Sequence, residues 1–430
     1  MDLDLSLGRS RTGEAKIKKI FFIGIGGIGI SALAKMAISR GIEVSGVNDE
    51  ESPKTLNSLR EAGAEIFFLP AQAGQKDLKE LPQADLYVYS DAWLHRGPEI
   101  IENAKKGGKP VINYFEALGE FAKDYKVIAI AGTHGKTTTT AMVAEILIEA
   151  GLDPMVIVGS FVKKLGSNFK KGDSKYLVVE ADEYNRHFLS LNPFLSVVLN
   201  IEADHLDYYK DLKDIQDAFN KFLSQSQNKI LDYQKYLEKV PKLLVPGIHN
   251  RMDAAAALAV VDFLHVKEEV AVKTLAEFSG TWRRLEKRGE TAQGTIIYDD
   301  YAHHPTEIRA SLQGLRELYP KGKKRVIILF QPHLYSRTRA LFNDFTKCFE
   351  DADQILLLPI YFAREDKDIS ISSEKLAEAI DKTGKNTRPF SSFEEAETHI
   401  KALNLGPNDI FVTMGAGEAY KVADKVFSFT

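Results

Sequence analysis

The chain has 430 residues, of which 44% are hydrophobic and 27% are charged, and its formal net charge at pH 7 is −4. This balance is typical of a soluble protein with two or three domains, and it argues against nucleic-acid binding, which favours a basic excess. The only cysteine, Cys348, leaves no disulfide framework and no cysteine-based zinc site, so we expect a packed core thiol.

The N-terminal segment carries acidic residues where a signal peptide needs a basic and then an apolar region. No apolar run approaches the length of a membrane span. These features predict a cytoplasmic protein with a flexible leader at residues 1–17. They predict neither nucleic acid nor a membrane as a partner.

Strand-like and helix-like patterns alternate along the chain, beginning with KKIFFIGIGG and the helix-like ISALAKMAIS. The alternation restarts at YKVIAIAG and again at GTIIYDDYA. Strands that alternate with helices predict parallel sheets covered on both faces, so we predict three α/β domains, at residues 18–123, 124–280 and 281–430. Residues 225–245 are polar and helix-like, with little room for strands.

A first glycine cluster lies between a strand-like run and a helix-like run. Its glycines are Gly24, Gly26, Gly27 and Gly29. Glycines in this context permit a tight turn and a close approach of backbone amides to a diphosphate. Asp49 follows the second strand-like run, where dinucleotide-binding proteins carry a ribose-binding acid. The pattern favours phosphate binding and leaves open whether the ligand is NAD or another diphosphate.

A second glycine cluster, AGTHGKTTTT, is similar to a phosphate-binding loop at the start of a helix. Two residues separate Gly132 from Gly135, whereas the strict pattern has four. In such a loop the amides and Lys136 bind phosphates, and the Thr137 hydroxyl binds Mg²⁺. The predicted nucleotide-binding residues of this loop are Gly132, Thr133, His134, Gly135, Lys136, Thr137 and Thr138.

Acidic residues end the next two strand-like runs. The segment VVEADEYN places Glu180, Asp182 and Glu183 at the end of one apolar run. The run NIEADHLD ends in Glu202, Asp204, His205 and Asp207. Because Mg²⁺ takes oxygen ligands, two such clusters on adjacent strands beside a phosphate loop predict a magnesium site.

Histidine and arginine motifs follow further strand-like runs in the C-terminal third. DDYAHHPTEI has adjacent histidines, but a zinc site needs four convergent ligands and Pro305 breaks the geometry, so we favour substrate and ribose contacts. The planar arginine fork suits carboxylates and phosphates, which favours a binding function for FQPHLYSRTR and TWRRLEKRG. The candidates are Asn250, Arg284, Asp300, Tyr301, His303, His333 and Arg337.

Taken together, these motifs resemble the Mur ligases of peptidoglycan synthesis. The resemblance runs from about Ile20 to Ala423 and rests on the order of GIGGIG, AGTHGKTTTT, EADEYN, NIEADHLD, HN, RR, DDYAHHPTEI, FQPHLYSRT and MGAGE. The family's own phosphate loop has the short GTHGKT form. The resemblance implies a Rossmann-like N-terminal domain that binds a UDP-sugar and a central P-loop ATPase domain. It also implies a Rossmann-like C-terminal domain that completes the ATP and amino-acid sites.

The resemblance also implies a role for each candidate, with the first glycine cluster as a cradle for the UDP diphosphate. The implied catalytic residues are Lys136, His205, Arg284, His333 and Arg337. The implied magnesium ligands are Thr137, Glu180 and His205. Asn250 and Asp300 are implied near the adenine and the ribose of ATP, and Tyr301 and His303 at the amino-acid side.

The most similar branch of the family uses ATP and Mg²⁺ to join L-alanine to the carboxylate of UDP-N-acetylmuramate, through an acyl phosphate. FQPHLYSRT favours this branch, whereas RRLEKRGE favours a recycling branch that attaches a murein peptide to the same nucleotide sugar. We expect a monomer or a homodimer. Two other classes of protein are alternatives. A nicotinamide-dependent oxidoreductase would leave the GTHGKT loop without a function. A catalytically silent relative of the family would bind its ligands without turning over ATP.

The chain departs from the family pattern at several positions. Asp253 stands where the family usually has asparagine, Val47-Asn48 where it has Ser-Asp, and Leu334 where it has arginine. The last change removes a cation. Relatives carry several strands where this chain has residues 225–245, so we expect a trimmed but working central domain.

Overall fold

The computed structural model describes residues 17–69, 81–362 and 365–428. Residues 1–16 of the predicted leader lie outside the described residues, and Ile17 is buried. Among the described residues, no helix combines the length and the apolar character needed to cross a membrane.

The strands of the described residues belong to three sheets. They are β1 (Lys19–Ile23), β2 (Glu43–Asn48), β3 (Glu65–Phe68), β4 (Leu86–Tyr89), β5 (Val111–Asn113), β6 (Lys126–Ala131), β7 (Met155–Val162), β8 (Ser167–Lys170), β9 (Tyr176–Ala181), β10 (Leu195–Val198), β11 (Asn228–Ile230), β12 (Glu286–Glu290), β13 (Ile296–Asp300), β14 (Arg325–Phe330), β15 (Gln354–Leu357), β16 (Asn386–Pro389) and β17 (Asp409–Met414).

The α-helices in the same part of the chain lie between these strands. They are α1 (Ile28–Ser39), α2 (Pro53–Glu61), α3 (Trp93–Arg96), α4 (Pro98–Lys106), α5 (Tyr114–Ala122), α6 (Lys136–Glu149), α7 (Leu212–Ser224), α8 (Ile248–Phe263), α9 (Glu268–Glu277), α10 (Pro305–Leu318), α11 (Tyr335–Ala340), α12 (Phe342–Phe345), α13 (Ser373–Asp381), α14 (Phe393–Ala402) and α15 (Ala419–Val426). Two 3₁₀ helices cover Tyr184–Ser190 and Gln234–Lys239.

The first sheet has the strand order β3-β2-β1-β4-β5, and all of its neighbouring strands are parallel. This is the order of a Rossmann-type sheet. The chain leaves β1 towards β2 on one side and later returns to β4 on the other side. The carboxyl ends of β1 and β4 therefore form a topological switch point, where open α/β sheets bind ligands. The first glycine cluster directly follows β1 at this point.

The second sheet has the order β11-β10-β6-β9-β7-β8, with β7 and β8 antiparallel and the other neighbours parallel. Val127–Ala131 of β6 is a continuous buried apolar run, as expected for a strand covered on both faces. The prediction that the acidic clusters end adjacent strands is wrong. The strands that lead into the two acidic clusters are β9 and β10. They lie on opposite sides of β6, so they are not neighbours in the sheet.

The third sheet has the order β12-β13-β17-β14-β15-β16, with only the pair β12 and β13 antiparallel. Alternate residues of β14 enter two separate buried clusters, as expected for a strand covered on both faces. Cys348 is 1% exposed in one of these clusters, which confirms the predicted core thiol. Apart from the antiparallel pairs β7–β8 and β12–β13, the three sheets confirm the prediction of parallel sheets formed by alternating strands and helices.

The contacts divide the chain into two compact units. The first unit contains the first two sheets, and the second contains the third sheet together with residues 202–214 and 234–256. The predicted domain boundaries, near residues 123 and 280, stay predictions.

The segment 225–245 contains one short strand and one 3₁₀ helix. It includes β11, which pairs in parallel with β10 from Asn228 opposite Leu195, and the 3₁₀ helix Gln234–Lys239. The expectation of little room for strands holds, since the one strand among the described residues of this segment is three residues long. A long-range pairing partner stabilises this strand, and local polarity does not reveal such a partner.

Buried polar contacts join α1 to the β7–β8 hairpin within the first unit. Lys35 is 7% exposed, and its ammonium group donates to Asn168 Oδ1 at 3.0 Å and to Ser167 Oγ at 3.2 Å. The fully buried Asn168 donates from Nδ2 to the Ile28 carbonyl at 2.6 Å. Since buried polar groups need partners, this network holds the beginning of α1 against the second sheet.

The helix α6 is buried around nearly its whole circumference, from Thr137 to Leu147. Its Glu145 is 3% exposed. Burial raises the pKa of Glu145 to about 7, with Lys164 opposing the shift and Glu149 adding to it. Because an unfolded glutamate has a pKa near 4.3, the ionised form of Glu145 lowers stability at neutral pH.

We predict that Glu145→Gln raises the free energy of unfolding in a pH-dependent way. The folded pKa lies above the unfolded pKa, so the cost of Glu145 is absent below about pH 4, grows towards pH 7 and is complete above it. The expected gain is roughly 3 kcal/mol at pH 8 and under about 0.5 kcal/mol at pH 4. Urea unfolding at both pH values measures it, with the exposed Glu149→Gln as control. A gain independent of pH would contradict the prediction.

Candidate active site

The loop between β6 and α6 has the backbone form of a phosphate-binding turn. Gly132 has a φ of 146° and Gly135 a φ of 85°, which glycine adopts without the strain of other residues. Gly135 immediately precedes α6, and the first amides of a helix have no acceptor within the helix. These amides and the positive end of the helix dipole attract phosphate groups.

Lys136 is the first residue of α6, and its ammonium group contacts the loop. It donates to the Gly132 carbonyl at 2.5 Å and to the Glu183 carboxylate at 2.7 Å. Burial acts to lower the pKa of Lys136, but the carboxylates of Glu183 and Asp182 outweigh burial and raise it. The lysine is therefore charged at neutral pH and is held beside the loop.

Two of the predicted magnesium ligands, Thr137 and Glu180, are in direct contact. The Thr137 hydroxyl donates to Glu180 Oε2 at 3.0 Å, and Glu180 Oε1 accepts from the Gly159 amide at 2.5 Å. The third predicted ligand, His205, belongs to the second compact unit. Its φ of 54° is unusual for a residue other than glycine, and its amide donates to Asp204 Oδ1 at 2.7 Å.

Asn200 fastens the phosphate-binding loop from the neighbouring strand, and sequence reasoning missed it. Its Oδ1 accepts from the His134 amide at 2.8 Å, and its Nδ2 donates to the His134 carbonyl at 3.0 Å. Its own carbonyl accepts from the Thr133 amide at 3.1 Å. The available signal was an asparagine at the end of an apolar strand-like run, which the acids of NIEADH overshadowed.

Packing explains three of the four glycines in the first cluster. An added Cβ would lie too close to a neighbouring side chain in each case: Gly24 to Trp93 (2.4 Å), Gly26 to Asn48 (2.6 Å) and Gly29 to Tyr114 (3.0 Å). Gly27 is exposed and directly precedes α1. The open part of the turn is thus at Gly27 and the first amides of α1, which suits an anionic group.

The departure at Val47-Asn48 has a structural role in the same turn. Asn48 is buried, and its Oδ1 accepts from the Gly26 amide at 3.1 Å while its Nδ2 donates to the Glu50 carbonyl at 2.6 Å. The next residue, Asp49, pairs with Arg96 at 3.2 Å. Asn48 therefore shapes the glycine turn, and Asp49 is engaged by an arginine of the same unit.

The second unit brings together Tyr301, His303, His333 and Arg337. The His303 ring lies 5.4 Å from the Tyr301 ring and 5.8 Å from the His333 ring. The Arg337 guanidinium lies 3.1 Å from His333 Nδ1. Burial lowers the pKa of His303 to about 4, although Glu307 opposes this shift, so the imidazole is neutral at pH 7.

A buried ion pair between Arg337 and Asp204 anchors this group. Arg337 Nε donates to Asp204 Oδ1 at 3.0 Å, and the side chains are 6% and 7% exposed. Burial acts to raise the pKa of Asp204, yet Arg337 and the nearby imidazoles hold it well below its ordinary value. A cavity of about 120 Å³ beside the pair, lined in part by His205, Leu206 and Leu341, exceeds the 10–15 Å³ or so that one water needs.

The two adjacent arginines Arg283 and Arg284 have different surroundings. Arg284, a predicted catalytic residue, lies 5.2 Å from the Tyr301 ring centre and 3.8 Å from the Glu307 carboxylate. The binding function expected for TWRRLEKRG also included Arg283, but this arginine is buried and donates to Asp299 at 2.8 Å and to the Gly415 carbonyl at 2.7 Å. Arg283 therefore holds the MGAGE turn against β13.

The predicted ATP-side residues of the second unit are both buried. Burial raises the pKa of Asp300 to about 6, although a hydrogen bond with the Ser311 hydroxyl and the positive charge of Arg284 act to lower it. Asn250 donates from Nδ2 to the Pro246 carbonyl at 2.6 Å. The proposed contacts of these residues with ribose and adenine stay predictions.

Family models match three successive parts of the chain. They are described as "Mur ligase family, catalytic domain" for residues 19–126, "Mur ligase middle domain" for residues 130–238 and "Mur ligase, glutamate ligase domain" for residues 283–417. The chain belongs to the Mur ligase family. The predicted three-domain α/β architecture, with Rossmann-like terminal domains around a P-loop ATPase domain, is confirmed. The predicted class of ATP-dependent amide-bond-forming ligase is confirmed as well.

Curated Mur ligases are similar to this chain over nearly its whole length. The UDP-N-acetylmuramate–L-alanine ligase of Clostridium perfringens is 36% identical over 457 residues, covering 95% of this chain and 97% of the relative. The enzyme of the same name from Clostridium acetobutylicum is 36% identical over 460 residues, covering 96% of this chain and 98% of the relative.

Solved structures of Mur ligases share the fold. The UDP-N-acetylmuramate-alanine ligase from Thermotoga maritima has a TM-score of 0.78 and 27% identity, covering 95% of this chain and 98% of that chain. A murein peptide ligase from Psychrobacter arcticus has a TM-score of 0.68 and 23% identity with the same coverage, which shows a common fold.

We predict that Asp204→Asn is strongly destabilising. The substitution leaves the Arg337 guanidinium buried without its charge partner, and breaking a buried pair costs about 3–5 kcal/mol. Urea unfolding measures the loss. The matched control is Arg339→Ala, which breaks the more exposed pair with Asp368 and should cost less than about 1 kcal/mol. Equal losses in the two variants would refute a special role for the buried pair.

Proposed function

We propose that this Mur ligase joins L-alanine to the carboxylate of UDP-N-acetylmuramate, with ATP as the energy source, in the synthesis of peptidoglycan precursors. The observation that carries the proposal is the turn at the end of β6, where a charged Lys136 lies beside the first amides of α6. The similarity to alanine ligases over 95% of the chain supports the choice of substrates.

The chemistry of amide formation explains why such a loop is needed. A carboxylate is a poor electrophile, so one of its oxygens first attacks the γ-phosphorus of ATP, ADP leaves, and an acyl phosphate forms. The amine of alanine then attacks the acyl carbon, phosphate leaves with the bonding electrons, and the nitrogen loses a proton. Phosphoryl transfer depends mainly on positioning and on cations near the developing negative charge.

Lys136 and the loop amides would supply that environment for the outer phosphates. The ion pair with Glu183 keeps the ammonium group charged and within reach of the loop. Asn200 fixes the loop at His134 on both its amide and its carbonyl, which limits the movement of the phosphate-binding amides. We also assign Arg284 to the phosphates. We assign His333 and Arg337, with Tyr301 and His303, to the amino acid and the acyl phosphate.

The donor set at Thr137 and Glu180 fits Mg²⁺. Both side chains offer oxygen, which this hard cation prefers, and their contact at 3.0 Å brings two such atoms together at the loop. We propose Thr137 and Glu180 as ligands, to which the family resemblance adds His205. The bound ion would neutralise negative charge on the ATP phosphates. A cytoplasmic location and a monomeric or homodimeric state stay predictions of the sequence.

An acceptor screen tests the substrates. We expect ADP release, with ATP and Mg²⁺ present, only when UDP-N-acetylmuramate and L-alanine are both added, because the acyl phosphate needs the first and turnover needs the second. A coupled ADP assay with mass spectrometry of the uridine product measures this. Release with a murein tripeptide and not with L-alanine would support the recycling alternative. Release that ignores amino acids would exclude both.

Removing the loop ammonium tests the catalytic assignment. We expect Lys136→Ala to lower kcat by about 100- to 1000-fold, as is typical when a preorganised group that stabilises the transition state is lost. The matched control is Lys164→Ala, whose exposed ammonium pairs with Glu149 and should leave kcat within about twofold. Normal turnover in Lys136→Ala would remove the loop from the mechanism.

A further inference from the structure

Tyr114 lies between the first glycine cluster and the acidic residues Glu180 and Asp182 at the end of β9. It is the first residue of α5, directly after β5. A capping box fixes this helix start, because Asn113 Oδ1 accepts from the Glu116 amide and the Glu116 carboxylate accepts from the Asn113 amide, each at 2.9 Å. The backbone at Tyr114 is thus well defined.

The Tyr114 hydroxyl points to the first turn of α1. An added Cβ on Gly29 would lie 3.0 Å from both the hydroxyl oxygen and the ring carbon that carries it. Gly29 belongs to the first turn of α1, whose amides have no acceptor within the helix. The hydroxyl therefore lies beside the amides that we assign to the diphosphate of the sugar nucleotide.

Aromatic packing holds the Tyr114 ring in this place. The ring meets the Phe115 ring edge to face, with centres 4.7 Å apart. Phe115 in turn stacks on His187, with centres 3.6 Å apart and an angle of 11° between the planes. His187 Nε2 lies 2.8 Å from the Asp91 carboxylate after β4. The tyrosine is consequently positioned by elements of both sheets of the first unit.

The hydroxyl is a hydrogen-bond donor without a protein acceptor in the described part of the chain. Burial raises the pKa of Tyr114, and the carboxylates of Glu180 and Asp182 raise it further. The phenol therefore stays protonated at every pH at which the enzyme would work. A protonated donor that faces a set of helix amides is suited to an anionic ligand oxygen.

We propose that Tyr114 is a substrate-binding residue, whose hydroxyl donates a hydrogen bond to the diphosphate of the sugar nucleotide. The inference rests on the proposed function and adds one side-chain contact to a site otherwise formed by backbone amides. Gly29 then contributes to the site indirectly, because it leaves room for the Tyr114 hydroxyl beside these amides.

The variant Tyr114→Phe removes only the hydroxyl and keeps the aromatic packing. We expect UDP-N-acetylmuramate to bind about 10- to 50-fold more weakly in calorimetric titration without ATP, as is typical when a hydrogen bond to a charged group is lost. The KM for this substrate should rise by a similar factor, with kcat and the KM for ATP within about twofold. Tyr125→Phe, a conservative change in the same unit, is the control and should bind as the wild type does.

Smaller ligands locate the contact. Tyr114→Phe should weaken the binding of UDP by the same factor as that of the full substrate, and should leave the binding of uridine unchanged. Unchanged affinity for UDP-N-acetylmuramate in Tyr114→Phe would overturn the inference, and so would an equal loss for uridine. If the wild-type protein binds no UDP-N-acetylmuramate, the proposed function itself fails, which is a separate result.

Discussion

The ion pair between Lys136 and Glu183 is the interaction on which the chemistry of the first unit depends. The two side chains are only 17% and 3% exposed, and a shielded lysine keeps its charge because a carboxylate is next to it. That carboxylate follows β9, so β9 must pair directly with β6, which leads into the loop. On the other side of β6, β10 leads to Asn200, which fixes the loop backbone. The strand order β10-β6-β9 thus brings the cation, its counter-charge and the rigid amides to one edge of the sheet.

Sequence patterns predicted the local elements and the residues of the loop, but not the order of the strands. The apolar run before Gly132 and the helix that starts at Lys136 follow from period and turn chemistry, and both are present. The local sequence of a strand does not show which strands will be its neighbours in the sheet. For this reason the two strands that lead into the acidic clusters were wrongly predicted to be adjacent. Arg337 and Asp204 are 133 residues apart in sequence, so no spacing rule could have paired them. Asn200 was missed for the same reason, because it acts through hydrogen bonds to a loop that lies 66 residues away in sequence.

The first glycine cluster shows how one motif can serve packing and binding together. A motif rule assigns its glycines to a close approach of the ligand. In the structure Gly24, Gly26 and Gly29 make room for protein side chains, and only Gly27 opens the turn. Asn48 Oδ1 accepts a hydrogen bond from the Gly26 amide at 3.1 Å, so this amide is not available to a ligand. The start of α1 is also held by the buried Asn168, whose Nδ2 donates to the Ile28 carbonyl. The turn is therefore rigid before any ligand arrives, which reduces the entropy that binding must overcome.

The strand β11, from the segment 225–245, lies on the far edge of the second sheet, so this arrangement does not depend on it. The alignment with the Clostridium perfringens ligase spans 457 positions and uses 95% of the 430 residues here, so about 48 of its positions have no counterpart in this chain. β6, β9 and β10, with the loop and Glu180, all precede residue 225. β11 is three residues long and pairs only with β10. A short edge strand exposes few unpaired amides and carbonyls, so this edge of the sheet offers little for pairing with other chains. The shortening expected at residues 225–245 would therefore remove none of the groups that the phosphate-binding loop requires.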